Sequence, residues 1–420
     1  MQKRHVVVVG LGYVGLPLAM RAVEVGHEVV GFDVNTARVD LLAAGRSFVD
    51  DVSDDDAAAA VRSGRFVPTV DPARLAGFDV AVVTVPTPLR DSAPDLGHVE
   101  EAARILAPHV REGCCVILES TTYPGSTEEI FIPLLEAGSG LTAGRDFRVG
   151  YSPERIDPSN RTWGFRNTPK LTSGVDRASA EAVAEFYGEL VDDVVPVPGT
   201  REAELAKLLE NTYRHVNIAL VNELAIFCNE LGIDVWSVLD AAATKPFGFM
   251  RFEPGPGVGG HCLPIDPSYL SWQVRRSLGR TFRFVEIAND VNDHMPDYVV
   301  SRVTAHLNRD KKPVNGSTVL LLGLTYKRNS RDVRHSPAMM VAERLQKLGA
   351  NLLAADPHLE AADVPGGITL VDCTDDQLGA ADLIVVLTDH DALDWAAVER
   401  HAPRVFDTRN RLSAGVADRL

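Results

Sequence analysis

The chain has 420 residues, 45% of them apolar and 24% charged, with a formal net charge of -16. That length allows two or three domains with cores of their own, and the acidic balance argues against non-specific binding to nucleic acid or to anionic membrane. Five cysteines, Cys114, Cys115, Cys228, Cys262 and Cys373, form no C-x-x-C pair and no metal-ligand spacing with histidine, so no metal site is expected and free thiols in a reducing cytoplasm fit best.

The opening, MQKRHVVVVG, enters a strand at once and does not read as a signal peptide, and no apolar run reaches the length of a membrane span. Residues 5–34, HVVVVGLGYVGLPLAMRAVEVGHEVVGFDV, read as buried strand, glycine turn, helix and second strand. Gly10, Gly12 and Gly15 form G-x-G-x-x-G at that turn. The first glycine permits the turn, the second lets the backbone approach a pyrophosphate, and the third allows close helix–strand packing. Asp33 ends the second strand, where a carboxylate accepts from a ribose hydroxyl and repels a 2′-phosphate, which favours NAD over NADP. Arg38 lies five residues on, within reach of the adenosine side, and TVPTP at 84–88 ends a strand on the side where such cofactors lie.

Further strand-like runs follow at 79–86, 114–120, 147–153 and 192–198, with helical stretches between several of them, so residues 1–198 read as a doubly wound α/β domain. From Thr200 the apolar residues recur at three- and four-residue spacing with no Gly or Pro before Gly232, which predicts one helix of about 30 residues. A mostly helical middle segment, 199–312, is expected. Residues 313–420 then repeat the strand, loop, helix, strand order, giving two Rossmann-like parallel-sheet domains bridged by helices.

The stretch GPGVGGHCLPIDP at 255–267 cannot be a helix interior or a central strand, because proline removes donors and glycine weakens both. Cys262 sits in it, unlike Cys114, Cys115 and Cys228, which lie among aliphatic residues. Its glycines would let a substrate come close, and backbone N–H groups there would stabilise an oxyanion. On the long helix Glu204, Lys207 and Asn211 make a polar stripe beside Leu205, Leu208 and Leu209, able to present a cation and an amide to a site. A thiol near NAD has a specific use. A thiolate that adds to an aldehyde makes a thiohemiacetal, which can give up a second hydride and become a thioester for water to cleave.

The ordered blocks GLGYVGLP (10–17), VPTP (85–88), ESTTYPG (119–125), SPERIDP (152–158), ELAKLLENTYR (204–214), GPGVGGHCLPIDP (255–267), GLTYKRNSRDVRHSP (323–337) and FDTRN (406–410) resemble the UDP-glucose/GDP-mannose dehydrogenase family over nearly the whole length. The resemblance implies an NAD-binding domain, a helical dimer-forming middle and a nucleotide-sugar domain. It also implies a four-electron oxidation of a sugar C6 hydroxyl to a carboxylate, with two NAD and one water; a cytoplasmic homodimer is expected, and the pathway stays open between capsule polysaccharide, cell-wall glycan and a glycosylated natural product. Its implied roles fall as follows. Cys262 is the nucleophile, Asp266 and Thr121 position or activate water, Glu154 assists thioester hydrolysis, and Lys207 and Asn211 stabilise oxyanions at C6. The cofactor would meet Tyr13, Val14, Pro86, Thr87, Thr121 and Arg334 besides the glycines, Asp33 and Arg38. The nucleotide sugar would meet Glu154, Arg155, Phe252, Gly259, Lys327 and Arg409.

Lys327, Arg328, Arg331 and Arg334 form a cation cluster able to neutralise a diphosphate where no G-x-G-x-x-G is present. Ile265 stands where many UDP-glucose enzymes carry a lysine before the aspartate, so the form resembles the UDP-N-acetylhexosamine branch; the sugar stays open between N-acetylglucosamine, N-acetylmannosamine and glucose, on UDP or TDP. Three rivals are weaker. A transient-oxidation epimerase needs Tyr-x-x-x-Lys, and no tyrosine here has it. A two-electron hydroxyacid-type dehydrogenase needs neither Cys262 nor a second cation-bearing α/β domain. A non-catalytic nucleotide-sugar-binding regulator should have lost part of the Cys262, Lys207, Asn211 and Asp266 set.

Overall fold

The computed structural model describes residues 3–49, 51–90, 93–156, 162–260 and 263–420. Two compact units divide it: Met1–Glu210 with Ser268–Arg280, and Asn211–Pro267 with Thr281–Leu420.

The first unit is built on strands β1 (His5–Val9), β2 (Glu28–Phe32), β3 (Phe66–Thr69) and β4 (Val80–Val83), a short β5/β6 hairpin (Leu89–Arg90, Ala93–Pro94), then β7 (Cys115–Leu118), β8 (Arg148–Tyr151), β9 (Lys170–Gly174) and β10 (Val194–Pro196). Eight of them form one sheet in the order β10-β9-β8-β7-β4-β1-β2-β3. All its neighbours are parallel except β8 and β9, which run antiparallel. The continuous valine run of β1 is buried on both faces, as a central parallel strand requires. Val6 and Val8 pack with Leu16 and Ala19 of the helix Gly15–Glu24 and with Phe186 of the helix Arg177–Leu190.

The second unit carries β11 (Thr318–Leu322), β12 (Asn351–Ala355), β13 (Ile368–Leu370), β14 (Leu383–Val386), β15 (Val405–Asp407) and β16 (Asp418–Arg419), all parallel, in the order β13-β12-β11-β14-β15-β16. Alternation along β11 serves two cores. Leu320 and Leu322 face one set of helices, while Val319 and Leu321 join Val221, Ala225, Trp236, Met295 and Val299. The helical segment after Asn211 thus shares a core with the second sheet. The predicted long helix is Thr200–Leu231, 32 residues. No helix among the described residues is long and apolar enough to cross a membrane.

The polar sequence KLTSG gave no strand signal, yet it forms β9, fully buried. Its Lys170 explains why. The ammonium lies 2.5 Å from Glu119, past the end of β7, and 2.9 Å from Glu154, past the end of β8, and the Tyr187 hydroxyl donates to Glu119 at 2.5 Å. One cation serves two buried carboxylates. Burial pushes Glu119 up to about 7 against the pull of Lys170. Burial works in the same direction on Glu154, but Lys170 and hydrogen bonds from Glu119, Lys170 and the Ile156 N–H bring it down to about 2. Glu119 therefore holds a proton in the folded protein that an unfolded chain releases near 4.5, and stability falls as pH rises through about 5 to 7. Replacing Glu119 with Gln is expected to flatten the fall of the apparent Tm across that window; an unchanged slope would show that Glu119 carries no such proton.

Candidate active site

The turn after β1 is shaped by what cannot fit. Gly10 has φ 95°, and a Cβ there would lie 2.9 Å from the Thr84 carbonyl oxygen. A Cβ on Gly15 would run into the Gly10 carbonyl and the Thr84 hydroxyl, so only glycine lets the helix Gly15–Glu24 sit this close to the strands. Gly12 is different: a Cβ there meets nothing within 4 Å. Its open side faces outward beside a helix N-terminus with no side-chain cap and no acidic residue in the first turn, which is the cradle a pyrophosphate needs. Asp33 is buried, accepting from Leu11 N at 2.9 Å and from Asn35 N at 2.8 Å. Arg38 is 3.9 Å from it and lies over the Phe48 ring. Tyr13 and Pro86 are exposed, Val14 and Thr87 half-buried, and the Thr87 carbonyl accepts from the Tyr269 hydroxyl at 2.8 Å. These residues fit NAD.

The polar stripe of the long helix turns inward. Glu204 is fully buried and accepts from Gly125 N, Thr127 N and the hydroxyls of Thr122 and Thr127 at 2.6–3.2 Å. Burial pushes it up to about 7 although all four donors favour the carboxylate. One turn on, Lys207 is buried with its ammonium 2.5 Å from the Thr121 hydroxyl. Glu204 thus pins the loop whose Thr121 meets Lys207, a role the sequence reading missed; the signal was the threonine-rich run 121–127 opposite a glutamate at i-3 from the lysine. One further turn on, in the second unit, Asn211 donates to Asp266 at 2.6 Å. Of the leucines beside the polar stripe, Leu208 is buried while Leu205 and Leu209 are exposed: Leu209 and Leu220 are 60% and 61% exposed, in a stripe with Leu205, Tyr213, Phe227 and Leu231.

Glu154 is held by Lys170 and by the backbone N–H groups of Arg155 and Ile156. Arg155 forks onto Glu210 at 2.6 and 3.0 Å and donates to the Pro169 carbonyl. In the second unit the glycine loop is tightly enclosed by the protein itself. A Cβ on Gly255 would lie 2.6 Å from the Arg409 guanidinium, one on Gly259 2.7 Å from the His335 carbonyl and Tyr326, and one on Gly260 2.7 Å from the Tyr326 ring. Gly260 N also donates to the Arg334 carbonyl at 3.1 Å. These glycines admit residues 326–337 and Arg409, a reason for them that substrate approach alone does not supply. His261, Cys262, Asp157 and Pro158 lie outside the described residues.

Of the cation cluster, Arg328 pairs with Asp389, Arg331 with Glu360 and Arg334 with Asp332. Lys327 is half-buried. Arg409 donates to the Leu387 carbonyl at 2.8 Å, and burial lowers it to about 10. Phe252 packs edge-on to Tyr213.

The two glycines of the turn separate binding from folding. Gly12→Ala is expected to leave Tm nearly unchanged and to raise KM for NAD at least about 10-fold, since its Cβ enters only the cofactor cradle. Gly15→Ala is expected to cost about 1–3 kcal/mol of stability through overpacking. Equal Tm losses for both would contradict the assignment.

Comparison with known proteins agrees with this geometry. Residues 4–191 match the NAD binding domain of the UDP-glucose/GDP-mannose dehydrogenase family, 201–294 its central domain and 320–414 its UDP binding domain. A UDP-N-acetyl-D-glucosamine 6-dehydrogenase of Pseudomonas aeruginosa is 39% identical over 93% of this chain and 91% of its own. A UDP-N-acetyl-D-mannosamine dehydrogenase of Methanococcus maripaludis is 32% identical over 97% and 93%. The solved UDP-D-ManNAc dehydrogenase from Pyrococcus horikoshii superposes with TM-score 0.89 at 30% identity, covering 99% of this chain and 98% of that one. With three domains matched in order and relatives aligned over nearly its full length, the chain belongs to the UDP-glucose/GDP-mannose dehydrogenase family and is an NAD-dependent nucleotide-sugar dehydrogenase.

Proposed function

We propose that this protein oxidises the C6 hydroxyl of a UDP-N-acetylhexosamine to the carboxylate, passing four electrons to two NAD and consuming one water. The observation that carries the reading is Lys207, buried and held on Thr121, with the half-buried Asn211 one helical turn further along and held on Asp266. A buried ammonium and an amide fixed in this way are preorganised donors for an oxygen that develops negative charge. The relatives named for N-acetylglucosamine and N-acetylmannosamine substrates, with Ile265 before Asp266, support the hexosamine.

NAD, when bound, supplies the acceptor for each hydride. The chain's own residues do the rest. Lys207 and Asn211 hold the C6 oxygen as its proton leaves in the first oxidation. The Cys262 thiolate adds to the aldehyde carbon to give a thiohemiacetal, whose second oxidation leaves a thioester. Asp266 and Thr121 position water at the thioester carbonyl, and Glu154, kept ionised beside Lys170, assists its attack. Cleavage returns the thiol and releases the acid. Arg409 and Lys327 hold the nucleotide sugar with Arg155, Phe252 and Gly259, and Arg334 reaches the cofactor.

The three-part division 1–198, 199–312 and 313–420 then separates cofactor, helical and sugar-nucleotide segments. We place the enzyme in the cytoplasm as a homodimer through the long helix, supplying acidic sugar precursors for polysaccharide. The partly exposed stripe Leu205, Leu209, Tyr213, Leu220, Phe227 and Leu231 supports this pairing, since removing apolar surface from water favours association.

NADH formed per sugar consumed, measured with UDP-N-acetylglucosamine, UDP-N-acetylmannosamine, UDP-glucose and TDP-glucose, tests the reading. Two NADH with one of the hexosamines is expected, and no acid from the Cys262→Ser variant. One NADH per sugar, or full acid production without the thiol, would overturn it.

A further inference from the structure

A chain of hydrogen bonds in the second unit starts at the glycine loop and runs between the helices Thr200–Leu231 and Arg283–Arg309. Gly255 N donates to Asn222 Oδ1 at 2.9 Å, and Asn222 Nδ2 to Asn292 Oδ1 at 2.9 Å. Asn292 Nδ2 reaches His215 Nδ1 and the His215 carbonyl, each at 3.3 Å, and His215 Nε2 meets Asn289 Oδ1 at 2.8 Å. Asn222 is fully buried, and His215 and Asn292 nearly so.

The direction of this chain is set at one end. A main-chain N–H can only donate, so Asn222 must turn its carbonyl to Gly255 and its amide to Asn292. Asn292 in turn offers its amide to His215, whose Nδ1 accepts and whose proton sits on Nε2, facing Asn289. Burial lowers the His215 pKa and keeps the ring neutral in that form. Each of Asn222, Asn292 and His215 thereby takes one orientation.

Helix packing alone does not call for this arrangement. Replacing both partners of a buried hydrogen bond by apolar groups of the same shape is close to neutral, so leucines would join the two helices as well. What apolar residues cannot do is accept from Gly255 N. On its other side the loop meets Pro337 and the Asn292 carbonyl at Gly257, and Tyr326 and the Arg334 carbonyl at Gly260. Asn222 supplies the remaining restraint, at the residue where the loop begins.

We propose that Asn222 is a positioning residue for the reaction, acting through Gly255 on the loop that leads to Cys262, with Asn292 and His215 fixing the orientation of its amide. The inference rests on the reading of Cys262 as the nucleophile. It is tested with Asn222→Leu, which fills the volume but leaves Gly255 N unpaired, and Asn222→Asp, which keeps the acceptor. Measured are kcat, KM for NAD, Tm, and the rate at which iodoacetamide alkylates Cys262 in the full-length enzyme, read by peptide mass. A misplaced reacting group costs roughly 100-fold in rate, so Asn222→Leu is expected to lose about that much kcat with KM for NAD unchanged, and to alkylate faster at Cys262. Asn222→Asp is expected to recover most of the lost kcat.

Wild-type kcat and alkylation in Asn222→Leu would overturn the proposal. So would a loss of kcat that follows Tm in both variants, with no recovery by aspartate. If Asn222→Leu does not fold, Asn292→Leu serves instead: it keeps the Gly255 bond, frees the Asn222 amide to turn, and is expected to lower kcat about 5-fold, one hydrogen bond's worth; no loss there overturns the proposal equally. Failure of the thioester reading shows separately, as one NADH per sugar in the unaltered enzyme, and leaves the alkylation rates to decide this inference.

Discussion

The helix Thr200–Leu231 buries Glu204 and Lys207 while it exposes Leu205, Leu209, Leu220 and Leu231, and most of the site's arrangement follows from that inversion. A buried carboxylate or ammonium needs partners nearby, so Glu204 draws the Gly125–Thr127 backbone against the helix and Lys207 takes the Thr121 hydroxyl. Further along, the same requirement is met by Asp266 for Asn211, and by Asn292 and Gly255 for His215 and Asn222. One helix thereby organises a loop of the first unit and, in the second, the glycine-rich loop. Its exposed apolar stripe is the natural complement: a surface of leucine and phenylalanine is costly in water.

The glycines of the chain divide into two kinds by what would meet a Cβ. At Gly12 the answer is nothing, as at many surface-turn glycines of the chain, and what sets Gly12 apart is its place between the end of β1 and the uncapped N-terminus of the helix Gly15–Glu24. At Gly10, Gly15, Gly255, Gly259 and Gly260 it is the protein's own atoms. Sequence alone does not separate these cases, because the residue is the same. Strand, helix and Asp33 supplied the register for G-x-G-x-x-G, where the close packing expected of Gly15 is found, but only half the reason was legible at 255–260, where the close neighbours come from residues 326–337 and Arg409, distant in the chain.

Other features were hidden for related physical reasons. The strands before Gly10 and Gly323 were legible as apolar runs, and the long helix as a spacing. Lys170 was not, since a lysine in a polar five-residue stretch reads as loop until Glu119 and Glu154 are seen to converge on it. The cluster Arg328, Arg331 and Arg334 was legible as cations but not as pairs, because Asp389, Glu360 and Asp332 meet them only in the fold. The stripe of Glu204, Lys207 and Asn211 was legible as a polar face; the burial of Glu204 and Lys207 was not, because periodicity gives a face and not which side of it is covered.

The central claim is covalent chemistry at Cys262, and the direct test is the intact mass of the enzyme quenched during turnover. The Glu154→Gln variant, with UDP-N-acetylhexosamine and excess NAD, is expected to accumulate an adduct equal to the sugar nucleotide less four hydrogens, localised by digestion to the 255–267 peptide. A variant that releases aldehyde or acid at a measurable rate with no adduct at any time point would contradict the account.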